Sequence, residues 1–417
     1  MQSSDIYSVQ RSPRSVLFGP GQRAALPTIA RSLGQRVLIV TDERLRTSPE
    51  LAELLAGLEQ SGVAAHVFSD VEPELPKRCI QDAAAAGSAF GADHVIAIGG
   101  GSCLDAAKLA ALLMKHGGDL SDYYGEFKVP GPTLPVVAVP TTAGTGSEVT
   151  PVAVVADEER LMKVGISSPF LIPEVALCDP DLTMTCPPGL TALSGADALA
   201  HAIEAFTSAP REWSSHTAYE HVFVGKNFLS DRHALAAIEL ICNNLARAYR
   251  AGDDVEARTA VMQGAMSAAM AFGTAGTSLA HAIQYPVGAL THTAHGIGVA
   301  ILLPFAMAYN RNHILPQLSA MADVLAPHLR GQTDVAKADA MIDLVANLFT
   351  EIGIPGSLAD IGVAESDVPQ IAELALGTTR LVKNNPRELT SETMLDLVRA
   401  AYTGDRASLI NAQGAIV

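Results

Sequence analysis

Up to about residue 185, short apolar runs alternate with segments whose apolar positions recur at helical spacing. RVLIVTD (36–42) is a β-branched run that ends in an acid, and SPELAELLAGLEQSG (48–62) follows with helical periodicity and a glycine stop. VAAHVFSDV (63–71) predicts a second strand, and KRCIQDAAAAGSAFG (77–91) a second helix. HVIAIGGGS (94–102) runs from an apolar strand into glycines, and CLDAAKLAALLMK (103–115) then reads as a helix. LPVVAVPTTAGTGSEVT (134–150) takes another strand into a loop dense in Thr, Ser and Gly. This alternation predicts parallel βαβ units, and so an α/β domain over residues 1–185.

From residue 186 the strand pattern stops. GADALAHAIEAF, HALAAIELICNNLARAYRAG, SLAHAIQYPVG and GIGVAILLP all carry helical spacing, and the tail from 311 is amphipathic, with a helix start at Thr390. An all-α domain is therefore expected over 186–417. Pro286 is expected to end the SLAHAIQY helix. Residues 209–231 lack a clean period and read as an excursion between helices.

Between Thr259 and Asn310 there is no Asp, Glu, Lys or Arg. Paired transmembrane helices are the rival reading. The stretch is broken by Gly273, Gly276, Pro286, Gly288 and Gly296 and carries His281, His292 and His295, which fits a buried helical core around a polar site better.

Composition narrows the function classes. The formal charge of −16 disfavours nucleic acid or an anionic membrane as partner, because both would be repelled. With 48% hydrophobic and 17% charged residues, the chain suits a well-folded soluble protein. Its N-terminus, MQSSDIYSVQRSPRS, has no apolar core of a signal peptide. The five cysteines are scattered without CxxC spacing, which fits a reducing cytoplasm.

Two kinds of chemistry stand out. Gly99-Gly100-Gly101-Ser102 sits where a strand turns into a helix, so glycines allow a phosphate to approach the backbone and the helix N-terminus offers free N–H groups. Taken alone, GGGS also fits a plain tight turn. Asp42, ending the first strand, would accept ribose hydroxyls and repel a 2′-phosphate, or serve only as a turn acid. Lys163 is a solvated lysine or a cofactor contact. Farther on, Asp197 and His201 are four apart on one helical face, and His281 and His295 lie in the uncharged core. Three histidines and one aspartate suit Fe2+ or Zn2+. His292 could replace His295 as a ligand, or act beside the site as a neighbouring group or proton carrier.

At this point the sequence resembles the iron-containing (group III) alcohol dehydrogenase family. The resemblance rests on GGGSCLDAAK, PTTAGTGSE, SGADALAHAIEAF, SLAHAIQYPVG, AHGIGVAILLP and NNPRELT, which run in the family's order from about residue 15 to 403. It implies a Rossmann-like α/β domain followed by an all-α domain, and a homo-oligomer. It also implies NAD bound by Gly99, Gly100, Gly101, Ser102 and Asp105 around the pyrophosphate, with Thr141, Thr142, Ser147 and Lys163 lining the cofactor and Asp42 favouring NAD over NADP. The metal ligands it implies are Asp197, His201, His281 and His295, holding Fe2+, with Zn2+ the alternative. The implied reaction interconverts an alcohol and its aldehyde or ketone: the metal polarises the substrate oxygen and the nicotinamide exchanges a hydride.

Two features depart from the family's simplest pattern. Many members have a histidine four residues after the third ligand, where this chain has Tyr285, so Tyr285 and His292 become candidates for moving the proton. The 209–231 excursion is also longer. Both are similar to the hydroxyacid–oxoacid transhydrogenase branch, which acts on 4-hydroxybutyrate-like hydroxyacids. Such a substrate needs a cation, for which Arg211 and Lys226 are candidates. The dehydroquinate-synthase type shares the two-domain plan but lacks the AHAIEAF and AHGIGVAILLP wording.

Overall fold

The β-branched runs of the first half form a parallel sheet. A computed structural model describes residues 7–157 and 162–414. Residues 1–6, where the N-terminal stretch read above begins, and the four residues before Met162 lie outside it. In chain order come β1 (Ser15–Phe18), α1 (Leu26–Leu33), β2 (Arg36–Val40), α2 (Glu43–Arg46), α3 (Pro49–Gln60), β3 (Ala64–Phe68) and α4 (Lys77–Phe90). Then follow β4 (His94–Gly99), α5 (Gly101–His116), β5 (Gly125–Glu126), β6 (Val136–Pro140), β7 (Val152–Asp157), β8 (Met162–Ser167) and β9 (Val175–Cys178). The main sheet runs β1-β9-β6-β4-β2-β3 with every neighbouring pair parallel.

A parallel sheet covered on both faces needs apolar residues on both sides of each strand. Strand β2 shows this directly. Leu38 and Val40 pack with Ile80, Leu104 and Ala107 of α4 and α5, whereas Val37 and Ile39 pack with Leu26, Leu54 and Leu58 of α1 and α3. Strand order reverses between β2 and β4, so the carboxyl ends of these neighbours form the switch point where open α/β sheets bind ligands. Asp42 and Gly99 sit at those two ends. A smaller sheet, β5-β8-β7, was not foreseen from the sequence.

The helices of the second half are α6 (Pro188–Thr207), α7 (Thr217–Glu220), α8 (Phe228–Arg250), α9 (Val255–Ala275), α10 (Leu279–Thr291), α11 (His295–Asn310) and α12 (Leu315–Leu325). They continue through α13 (Asp334–Glu351), α14 (Val368–Leu376), α15 (Thr379–Val382), α16 (Ser391–Thr403) and α17 (Arg406–Gly414). The Thr390 side chain caps α16, as the sequence led us to expect.

Two compact units result. One holds Arg11–Thr185 and Ser215–Val222; the other holds the described residues up to Gln10, Cys186–Ser214 and everything from Phe223 on. Within the first, Arg11 donates to the carbonyls of Ala218, Val222 and His221, and Glu126 accepts the Val222 N–H at 2.6 Å.

The structure amends the expected helix boundaries. Pro286 does not stop α10, which runs on to Thr291. An interior proline costs about 3 kcal/mol, and burial along most of α10 outweighs that. Asn227 caps α8, so the excursion ends before 231. Most of the uncharged stretch lies in the interior of the helical unit, with Ala300–Asn310 buried throughout, while Ala289, Leu290 and His292 near the end of α10 are exposed. No helix among the described residues is long and apolar enough to cross a membrane.

Candidate active site

Helix α6 presents Asp197 and His201 one turn apart on a buried face. His281 follows the start of α10, and His295 opens α11. The Nε2 atoms of all three histidines lie 3.8 Å from one oxygen, Oδ1 of Asp197. Candidate ligand atoms of Asp197, His201 and His281 lie within 4.8 Å of one another. The rings of His201 and His281 stack at 4.9 Å, and those of His281 and His295 tilt at 5.4 Å. The carboxylate of Asp197 is nearly buried, while His295 keeps 28% of its side chain exposed.

This donor set fits a divalent cation. Donors about 2.0–2.2 Å from such an ion stand roughly 3.4 Å from one another, close to the separations here. The Nε2 atom of His281 is buried without a hydrogen bond. An orphaned buried acceptor costs about 1–3 kcal/mol, which a cation among the four side chains would relieve.

The opposite edge of His281 is engaged. Its Nδ1 lies 2.6 Å from Oε2 of Glu204, a carboxylate that also accepts the backbone N–H groups of Ser278 and Ala280. Burial alone would raise Glu204, but His281 and these two N–H groups hold it below the usual carboxylate range. Burial lowers His281, yet Glu204 and Asp197 raise it on balance. The sequence reading missed Glu204, although it stands one turn beyond His201 within AHAIEAF.

The neighbours separate. The Tyr285 ring lies 6.4 Å from that of His295. His292 is exposed and ends α10 in a left-handed conformation, φ 54°. His295, not His292, brings its Nε2 to Asp197.

The glycine loop of the α/β unit is equally constrained. Gly99 has φ 151°, and a Cβ there would lie 2.5 Å from Sγ of Cys103. A Cβ on Gly101 would meet Cγ2 of Thr145 at 2.6 Å. Gly100 is the N-cap of α5, and Ser102 lies in its first turn. The Thr141 N–H donates to Gly99, and Thr142 flanks Gly100, so the two loops pack as one surface. Asp42 caps α2 by accepting the Leu45 N–H at 2.9 Å. Its turn role is thus real, at the same strand end where a ribose contact was expected.

Asp105 accepts from the Ser147 hydroxyl at 2.5 Å and the Val154 N–H at 2.9 Å. Both oxygens serve the 147–154 segment, so Asp105 and Ser147 shape the loop together. Lys108, which the sequence reading missed, is buried one turn on and donates to the carbonyls of Thr150 and Val152. Lys163 pairs with Glu74.

A family model described as iron-containing alcohol dehydrogenase matches residues 13–180, and one for the C-terminal part of the Fe-containing alcohol dehydrogenase family matches 191–402. The chain belongs to the iron-containing alcohol dehydrogenase family. The long-chain-alcohol dehydrogenase 1 of Geobacillus thermodenitrificans is 33% identical over 382 residues, covering 91% of this chain and 92% of that protein. The NAD-dependent methanol dehydrogenase of Bacillus methanolicus is 31% identical, covering 93% and 98%. The crystal structure of a 1,3-propanediol oxidoreductase superposes with a TM-score of 0.88 at 32% identity, covering 95% of this chain and 100% of that one. As an iron-containing alcohol dehydrogenase the enzyme is an NAD-dependent oxidoreductase of alcohols and aldehydes, and its family uses a divalent metal.

Proposed function

We propose that the enzyme interconverts a neutral alcohol and its aldehyde or ketone, with Asp197, His201, His281 and His295 holding Fe2+. The observation that carries this reading is the convergence of three Nε2 atoms on one Asp197 oxygen. A divalent ion held there supplies Lewis-acid polarisation of the substrate oxygen, and NAD supplies the hydride acceptor.

The chain's own residues do the rest. Gly99, Gly100, Gly101 and Ser102 offer backbone N–H groups at the start of α5 to the cofactor pyrophosphate. Thr141 and Thr142 line the same surface, and Asp105 with Ser147 holds the loop behind it. Asp42 accepts ribose hydroxyls and so favours NAD. Lys163, beside Glu74, contacts the cofactor. Tyr285, next to His295, and exposed His292 would carry the alcohol proton toward solvent, the Tyr285 hydroxyl giving up its own proton as it accepts one.

The hydroxyacid–oxoacid transhydrogenase is the other reading. It needs a cation for the substrate carboxylate, but Lys226 is paired with Asp231 and Arg211 donates to the Phe223 carbonyl. Those pairings support a neutral substrate, as do relatives named for methanol, long-chain alcohols and 1,3-propanediol, whereas one relative is named for sulfoacetaldehyde, an anion.

A panel of primary alcohols, diols and hydroxyacids tests this, with metal-reconstituted enzyme and NADH absorbance as the readout. NAD-saturable oxidation of neutral alcohols is expected. Turnover supported by added 2-oxo acid without free NAD would establish the transhydrogenase instead.

A further inference from the structure

Glu204 is buried inside the helical unit, and nothing in the reaction requires it to touch substrate. Its Oε1 accepts the Ala280 N–H at 2.7 Å; its Oε2 accepts the Ser278 N–H at 2.9 Å and faces Nδ1 of His281 at 2.6 Å. These N–H groups belong to the start of α10, where Ser278 makes no side-chain cap of its own. Glu204 therefore caps the helix from outside, at the end whose dipole favours a negative charge. The other side of the same turn is held by a distant pair. The Asn384 amide donates to the carbonyls of Ala275 at 3.0 Å and Thr277 at 3.1 Å. The Ser278 hydroxyl donates to Asn385, which exchanges two amide hydrogen bonds with Asn310 at 2.7 and 2.9 Å.

We propose that Glu204 and the Asn384–Asn385 pair form one positioning device that sets the metal affinity of the site through His281. The proposal rests on the metal centre described above. An ionised carboxylate only accepts hydrogen bonds, so the His281 proton is kept on Nδ1 and the lone pair of Nε2 faces Asp197. Because backbone N–H groups hold both oxygens of Glu204, the orientation of the imidazole ring is fixed as well. Partners of this kind behind a metal-bound histidine are worth about 10–100-fold in metal affinity.

Cobalt(II) titration of the metal-free enzyme tests this, with visible absorption and competition by a chromogenic chelator as readouts. In Glu204→Gln one carboxylate oxygen becomes an NH2 that must face a donor: toward Ala280 it breaks the α10 cap and frees the His281 ring, and toward His281 it moves the ring proton to Nε2. We expect a Kd for cobalt raised about 10–100-fold and a changed visible spectrum. Glu204→Asp keeps the acceptor at a shorter reach and should fall in between; Asn384→Ala should raise Kd several-fold without a new spectrum. A merely structural role would move the unfolding temperature of the metal-free protein and leave the cobalt Kd of folded variants unchanged. If Glu204→Gln fails to fold, Glu204→Asp carries the comparison. Wild-type affinity in the folded variant overturns the device. A wild-type enzyme that binds no cobalt overturns the metal centre itself.

Discussion

Oδ1 of Asp197 and Nε2 of His281 lie 3.8 Å apart inside the helical unit. His281→Ala removes one of the convergent nitrogens, while two backbone N–H groups still satisfy Glu204. The variant should stay folded by circular dichroism and lose bound metal, with activity lost along with it. Elemental analysis of the purified variant is the check, and a retained metal equivalent would remove His281 from the ligand set.

That relationship was only half legible in the sequence. The spacing of Asp197 and His201 places both on one face by helical geometry alone. Bringing His281 and His295 to that face needs tertiary packing, and the sequence left His292 as a competitor. The central strands β2, β4 and β6 were readable because strands buried on both sides are apolar without a break. Strands β7 and β8 were not: β7 alternates buried and half-buried residues, and β5 has only two residues. Glu204 was not singled out in the sequence, because its partners at Ser278 and Ala280 are set by packing rather than spacing. The contacts of Asn384 with Ala275 and Thr277 are hidden for the same reason.

Asp42 ends its strand beside the glycine loop and caps α2. Replacing it with glycine removes the charge, and glycine as N-cap costs only a few tenths of a kcal/mol. In Asp42→Gly the ratio of kcat/KM for NAD to that for NADP should fall by about 10-fold, the scale of one unit-charge contact of roughly 1.4 kcal/mol. Steady-state kinetics with both cofactors give the ratio. An unchanged value would assign cofactor choice to another group.

A Cβ on Gly101 meets Cγ2 of Thr145 at 2.6 Å, so Gly101→Ala must push the Thr-rich loop away from the start of α5. The KM for NAD should rise several-fold, with the unfolding temperature little changed because Thr145 is exposed. Isothermal titration with NAD would report the same loss directly. An affinity equal to wild type would mean that the two loops do not share the cofactor.

Glu148 is buried under this loop, and burial raises its carboxyl to about 7, against the lowering effects of a backbone hydrogen bond and Lys108. Folding therefore favours the protonated form. Between pH 5 and 7 the unfolded chain gives up the proton before the folded one, so stability falls as pH rises. Lys108, pulled down by burial to about 8, titrates above that window. Glu148→Gln lacks this loss, so its unfolding temperature relative to wild type should climb from pH 5 to pH 7. The size is on the order of a few kcal/mol at most, at about 1.4 per pH unit of displacement. Parallel melting curves across the window would contradict it.

One metal held by Asp197, His201, His281 and His295 is what we propose the dehydrogenase activity of this chain depends on. Metal analysis of the anaerobically purified enzyme, stripped with a chelator and reloaded with Fe2+, tests it most directly when NADH formation from an alcohol panel is followed in parallel. One metal per chain is expected, with NADH formation that disappears and returns with it. NADH formation that survives complete removal of the metal would contradict it.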